Sequence, residues 1–227
     1  MYKELDQLNT SITIQKNFNQ KKLFQELINS RKISIAKLFI KKNTLFSQKI
    51  NLKEQICYLQ EGIVCSFYRG IPNRVITQSQ FLNVELILGM EEISIKALTN
   101  CRILVFERLN IMEHIFAMQK GILFLFQYEK EQEDFLISRI DMLRKKGYPR
   151  FLQMLKELAD ECGEVIGTEC HLPKCFTIKR IASLSGLSTN TVSLFRKKMM
   201  KAGTLRKDGG QFILLKYALN EKLEDIS

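Results

Sequence analysis

The stretch IASLSGLSTNTVSLFRKKMMKAG, residues 181–203, decides how the chain is read. It places Ala182, Gly186 and Val192 at the spacing of two helices meeting at a tight corner, and follows them with Arg196, Lys197, Lys198 and Lys201. Thr177 is suited to N-cap a short first helix over Ile178–Leu184. Ser185-Gly186-Leu187 forms the turn, where glycine accepts the positive φ that such a corner needs. Ser188 caps a second helix running to Ala202, and Gly203 sits just past its end. Ile181, Leu187, Val192 and Phe195 are expected to point into the angle, with small Ala182 allowing close approach. A purely structural hairpin with a solvated basic face is one reading. A helix-turn-helix whose second helix enters a DNA groove accounts for the charge as well.

Working outward, TLRKDGGQFILL (204–215) reads as two strands around Asp208-Gly209-Gly210, a strong hairpin signal. A helix-turn-helix followed at once by a β-hairpin is a winged helix. Between Lys174 and Lys216 stand ten basic residues against Asp208 alone. The whole chain of 227 residues carries a net charge of +11, which favours polyanionic partners, nucleic acid above all.

Upstream the pattern changes character twice. From about Lys32 to Glu107 it has the period of strands: KISIAKLFI alternates, QICYLQEGIVCSFY reads as a hairpin around Glu61-Gly62, and RVITQ, ISIKAL and CRILVFE follow closely. RGIPN (69–73) reads as a turn, and QKKLFQELINS as a short helix. These short strands predict a small β-barrel or sandwich. At Asn110, with Glu113 three residues on, a capping box predicts a short helix. After Gly121 a long helix runs to about Lys146, with Met118, Ile122, Leu125, Gln132, Leu136, Ile140 and Leu143 approximating one apolar seam. Such a seam packs on its own sheet or pairs with a second copy. Pro149 opens a further helix to about Glu161, and CGEVIGTECHLPKC reads as loop or hairpin.

At this point the chain resembles the cyclic-AMP receptor protein/FNR (Crp/Fnr) family of bacterial transcription regulators. The resemblance follows the chain in order, and is strongest over 148–215, through RFLQMLKELA and FTIKRIASLSGLSTNTVSLFRKKMMKAG. It implies an α+β fold of three parts: a β-roll of the cyclic-nucleotide-binding type over 1–109, a dimerisation helix and hinge over 110–147, and a winged-helix DNA-binding domain over 148–227. It also turns the seam at 119–146 towards self-pairing, as a homodimer on a palindromic operator. The family's recognition helix begins with Arg-Glu where this chain has Thr189 and Asn190, and has a second Arg where this chain has Leu194. Asn190 can instead contact adenine and Leu194 a thymine methyl, with Thr189 and Ser193 able to meet base or phosphate. An A·T-rich half-site is therefore expected. Thr177, Lys179, Ser188, Thr191 and Lys197 match the family's phosphate-holding positions. Lys207 in the wing joins them, and Ser188 is equally a plain N-cap.

At the sensing end the comparable stretch is FLNVELILGMEEISIKAL. Glu85 and Lys96 are the candidate effector contacts, but no Gly precedes Glu85 and no Arg lies from 75 to 101. A buried cyclic phosphate without its guanidinium costs several kcal/mol, so cyclic nucleotide is not expected and the effector is left unnamed. The six cysteines include none before Cys57, which argues against the family's N-terminal iron–sulfur site. Cys162, Cys170, His171 and Cys175 offer a rival reading as a metal- or redox-responsive site. They contain no C-x₂-C pair, however, and incidental thiols are the preferred account. A second rival is a protein-interaction module that binds no DNA. No enzyme motif, cofactor site or metal site is expected. The acidic loop at 160–169 offers RNA polymerase a contact, or is simply solvated. With no signal-like or membrane-spanning run, a cytoplasmic protein without membrane partners is expected.

Overall fold

Strands β2 (Gln55–Glu61) and β7 (Cys101–Glu107) are apolar on both faces, and that double burial organises the N-terminal half of the chain. In the computed structural model the described residues are 11–30, 33–88 and 93–215. Lys216, and the Gly89–Glu92 part of the expected effector stretch, lie outside them. The chain divides into two units, Met1–Arg69 with Ile76–Leu136, and Gly70–Val75 with Ile137–Ser227.

The first unit opens with helices α1 (Ser11–Asn17) and α2 (Gln20–Asn29), the latter N-capped by Asn19, whose side chain accepts from Lys22 N–H at 3.1 Å. Strand β1 (Ile35–Ile40) pairs antiparallel with β7, and β7 with β2. After β2 come β3 (Val64–Tyr68), β4 (Ile71–Ile76), the short β5 (Gln80–Phe81), and β6 (Ser94–Ala97). The main sheet has the order β1-β7-β2-β5, and β3 pairs with β6 in a second sheet.

Alternation along β2 and β7 sends successive side chains to opposite faces. Cys57, Leu59, Ile103 and Val105 point into the roll, where they meet Val64, Ile95 and Ala97 of the second sheet. Ile56, Tyr58, Leu104 and Phe106 point the other way, under helices. They are covered by Leu23 and Leu27 of α2, by Ile111 and Ile115 of α3 (Arg108–Ala117), and by Phe124, Leu125 and Tyr128 of α4 (Ile122–Arg144). Buried Asn83 does not offend this core, because its side chain accepts from Cys57 N–H at 2.9 Å and donates to Gln55 O at 2.7 Å.

Three sequence expectations shift here. RGIPN is not wholly a turn: the turn is at Arg69-Gly70, and Ile71-Pro72-Asn73 already belong to β4. No capping box at Asn110 starts α3. β7 runs straight into the helix at Arg108, whose N–H is taken by Glu54 O at 2.8 Å. The seam of α4 is also differently composed. Leu125 is 2% exposed in the core and Met118 packs against that core, whereas Ile122, Phe126, Leu136, Ile137, Ile140 and Leu143 are exposed.

In the second unit α5 (Gly147–Cys162) begins two residues before Pro149 and buries Phe151, Leu152, Met154, Leu155 and Leu158. The CGEVIGTECHLPKC stretch, left open between loop and hairpin, is a hairpin of β8 (Glu164–Ile166) and β9 (Glu169–His171). It adds to the strands that follow the two helices α6 (Ile178–Ser185) and α7 (Thr189–Lys201). With β10 (Leu205–Asp208) and β11 (Gln211–Leu215) it forms one antiparallel sheet ordered β10-β11-β9-β8.

Placing Leu125 in the protomer's own core makes a prediction that differs from a seam role. Leu125→Ala should cost about 2–5 kcal/mol in denaturant unfolding. The loss should be the same at low and high protein concentration, as expected of a contact made inside one chain.

Candidate nucleic-acid interface

The corner between α6 and α7 is closed by backbone and cap interactions that the sequence encodes residue by residue. Thr177 accepts from Arg180 N–H at 3.3 Å, capping α6, and the Arg180 guanidinium donates to Cys175 O. Gly186 takes a left-handed conformation, φ 65° and ψ 23°, and its N–H and that of Leu187 both reach Ala182 O. An L residue pays about 1–2 kcal/mol for that geometry, which is why glycine stands there. Ser185, fully buried, donates its hydroxyl to Ile181 O at 2.8 Å. Ser188 then accepts from Thr191 N–H at 3.1 Å, and its hydroxyl lies 2.8 Å from that of Thr191.

Packing fixes which side of α7 faces out. Ile181 and Val192 are each 1% exposed and fill the angle, with Met199 buried one turn pair further on. Leu187 and Phe195, expected in the same angle, are only half-buried. Phe195 turns to α5 instead, with ring centroids 5.3 Å from Tyr148 and 5.8 Å from Phe151. With that side anchored, Thr189, Asn190, Leu194, Lys197 and Lys201 are exposed and Ser193 half-buried. Their spacing of three and four puts them along one face. Thr177, Lys179 and Ser188 are exposed at the starts of the two helices, and Lys207 is exposed on β10 in the wing. Thr191, half-buried, is engaged by Ser188.

Several cations counted in the basic stretch have other employment. Lys198 Nζ stands 4.6 Å above the Tyr148 ring. Arg196 is half-buried, beside Phe151, Leu155 and Phe212. Arg206 in the wing is paired with Glu169 of β9 at 2.6 Å, and His171 Nε2 lies 3.1 Å from the same carboxylate oxygen. The Arg206 hydrogen bond, with His171 beside it, holds the Glu169 carboxyl below the usual carboxylate range. A depressed carboxylate contributes above its unfolded pKa and loses that contribution as pH falls through the lower folded value; for so exposed a pair the effect is small. At the other end of the motif Arg139 of α4 donates to Leu184 O, and Arg150 of α5 donates to Lys145 O at 2.7 Å and to Leu143 O. None of these braces is visible as a sequence motif.

The rival metal set is not assembled among the described residues. Cys170 and Cys175 are buried, His171 is taken by Glu169, and among the described residues no group of three His, Cys, Asp or Glu is placed to hold a metal ion. Burial, with Glu161 and Cys175 nearby, pushes the Cys162 thiol pKa up, away from the reactive thiolate. At the sensing end, Glu85 lies in the 3₁₀ turn Val84–Leu88 and accepts from the Tyr128 hydroxyl of α4. Lys96 lies on β6 opposite Cys65. No helix among the described residues is long and apolar enough to cross a membrane.

No family model and no curated protein matches the chain by sequence. Solved structures do match by fold. FixK2 from Bradyrhizobium japonicum superposes with a TM-score of 0.68 at 15% identity, covering 82% of this chain and 96% of its own. A cyclic nucleotide-binding domain containing protein from Listeria monocytogenes gives 0.69 at 15% identity, covering 88% of this chain and 97% of its own. TTHA1359 from Thermus thermophilus, a transcriptional regulator of the CRP/FNR family, gives 0.58 at 18% identity, covering 83% and 98%. The fold is therefore the α+β fold of the Crp/Fnr regulators.

Ser188 is an N-cap in the protein by itself. Ser188→Ala should cost about 1 kcal/mol and lower the thermal midpoint with no DNA present.

Proposed function

We propose that the protein is a homodimeric, sequence-specific DNA-binding transcription regulator of the Crp/Fnr type, and not an enzyme. The observation that carries this is the exposed face of α7: Thr189, Asn190, Ser193, Leu194 and Lys197 aligned on a helix whose opposite side is fixed by Val192 and Met199. A helix anchored in this way presents base-reading and phosphate-holding groups with little left to order on binding. Thr177, Lys179, Ser188, Thr191 and Lys197 meet phosphates in this reading, joined by Lys207 from the wing. The domain roles are a β-roll at 1–109, dimerisation over 110–147 and DNA binding over 148–227. Two proteins of the same fold support the regulator reading: TTHA1359 is a transcriptional regulator of the CRP/FNR family, and CLP of Xanthomonas campestris is a c-di-GMP responsive global regulator.

The exposed apolar row of α4 supports self-pairing, since palindromic half-sites need two recognition helices held at a fixed spacing. The 160–169 stretch, offered to RNA polymerase, is the end of α5 and the β8–β9 hairpin, with Val165 and Ile166 more than half exposed. Cyclic nucleotide is not the effector. The guanidinium that would pair a cyclic phosphate is missing, and the Glu85 carboxylate already accepts from Tyr128.

Two tests follow from these assignments. Asn190 can donate to adenine N7 and accept from N6, a pair worth about 1–3 kcal/mol of discrimination, so Asn190→Ala should relax preference at one base pair per half-site and leave the salt slope nearly unchanged. Lys197→Ala should weaken operator and scrambled duplexes alike and make the slope shallower by roughly one unit per lost contact. Undiminished discrimination by Asn190→Ala would move the reading role elsewhere on α7. Separately, calorimetry with millimolar cyclic AMP or cyclic GMP should show no saturable heat.

A further inference from the structure

The exposed side of α4 has a stricter order than hydrophobicity reveals. Ile122, Phe126, Glu129, Glu133, Leu136, Ile140 and Leu143 follow one another at alternating steps of four and three residues. That is the 3.5-residue repeat of a two-stranded coiled-coil seam. The five apolar members are exposed, from 39% for Leu143 to 55% for Ile122 and Phe126. The two members between Phe126 and Leu136 are carboxylates. Glu129 is half-buried with Oε1 lacking any hydrogen-bond partner, and Glu133 is exposed.

From this register we infer that dimerisation through α4 is coupled to protonation of Glu129 and Glu133. The inference rests on the dimer reading above and adds its regulation. In a two-fold parallel pairing each seam residue meets its own copy, so four carboxylates gather in the middle of an otherwise apolar interface. The charged neighbours of the pair on α4 are Lys130 and Asp134, and the second copy presents the same set. Each copy therefore brings three acidic groups and one basic group to this level, and Lys130 does not neutralise the layer. The other acids near this part of the helix are engaged on its inner side: Glu131 accepts from Gln20 at 2.9 Å and from Gln127 at 3.2 Å, and Glu85 from Tyr128. Burial already raises the Glu129 pKa in the single chain. Closure of the seam removes more water and adds like charge, and both effects raise it further.

The sign is fixed by that direction. A carboxyl whose pKa is higher in the dimer than in the monomer takes up a proton on association. Dimer affinity therefore rises as pH falls towards the carboxyl range and weakens above it. Each proton taken up per dimer changes the dissociation constant by about tenfold per pH unit within the titrating window.

The test is analytical ultracentrifugation of the full chain across pH, with circular dichroism confirming the fold at each pH. Between about pH 7.5 and 5.5 the wild-type dimer constant should tighten at least roughly tenfold. Glu129→Gln/Glu133→Gln should be tight at the upper pH and nearly flat across the range, and Glu129→Leu/Glu133→Leu tighter still. A flat wild-type profile, or a Gln variant that keeps the wild-type slope, overturns the inference while leaving the dimer standing. If wild type and the Leu variant are both monomeric throughout, the dimer reading itself fails.

Discussion

Helix α4 packs one side into the β-roll core and leaves a second apolar row exposed, and the rotation that separates the two sets much else in the molecule. Phe124, Leu125 and Tyr128 close the helical side of the β-roll core over Ile56, Tyr58, Leu104 and Phe106. A polar chain locks the same side: Gln20 accepts from Phe81 N–H and donates to Glu131, which also accepts from Gln127. Once those residues face inward, 3.6-residue geometry leaves no choice about which face outward. Ile122, Phe126, Glu133, Leu136, Ile140 and Leu143 are among the residues left outside, with Glu129 half-buried in the same row. The carboxylates in the outer row are thus a consequence of how the inner row packs.

This double duty explains where the sequence was legible and where it was not. Strands with a partner on each face still announce themselves, because QICYLQ and CRILVFE are short, apolar and bounded by turns. The β-roll, long helix and winged helix were readable in order. The composition of the α4 seam was not. A helix with two apolar stripes has little amphipathic contrast, so a single stripe drawn through its apolar residues mixes Met118 and Leu125 from the inside with Ile122 and Leu136 from the outside. The sequence pattern points to Gln132, which is half-buried, whereas the exposed row carries Glu133. Starts of elements slipped for a related reason. The amide of Arg108 is satisfied by Glu54, which is distant in sequence, so no local cap marks the beginning of α3.

At the candidate interface local chemistry was readable and charge was not. Thr177, Gly186 and Ser188 act within four residues of themselves, and each does what its residue type suggests. The cations act over longer range. Arg206 reaches Glu169 across the wing sheet, Lys198 reaches Tyr148 on α5, and Arg196 lies against the core. Formal charge in the basic stretch therefore overstates what the surface offers a polyanion, since Arg180, Arg196, Lys198 and Arg206, four of its ten basic residues, are engaged within the domain.

That redistribution bears on how DNA would be read. The exposed face of α7 carries no arginine, since Arg196 is turned towards the core. Bidentate recognition of guanine by a guanidinium is therefore not on offer from this face. What it offers is an amide at Asn190 and, one turn on, the side chain of Leu194 at 64% exposure. An adenine presents N6 and N7 in the major groove and its thymine partner presents O4 and a methyl group, so an amide beside an apolar group suits the edge of an A·T pair. An amide on adenine supplies about 1–3 kcal/mol of discrimination at one base pair. Affinity then depends more on phosphate contacts, and on two recognition helices acting together, than on any single side chain. Under the proposed function a reader of this kind would gain most from a firm dimer, which would place control of DNA binding in the outer row of α4.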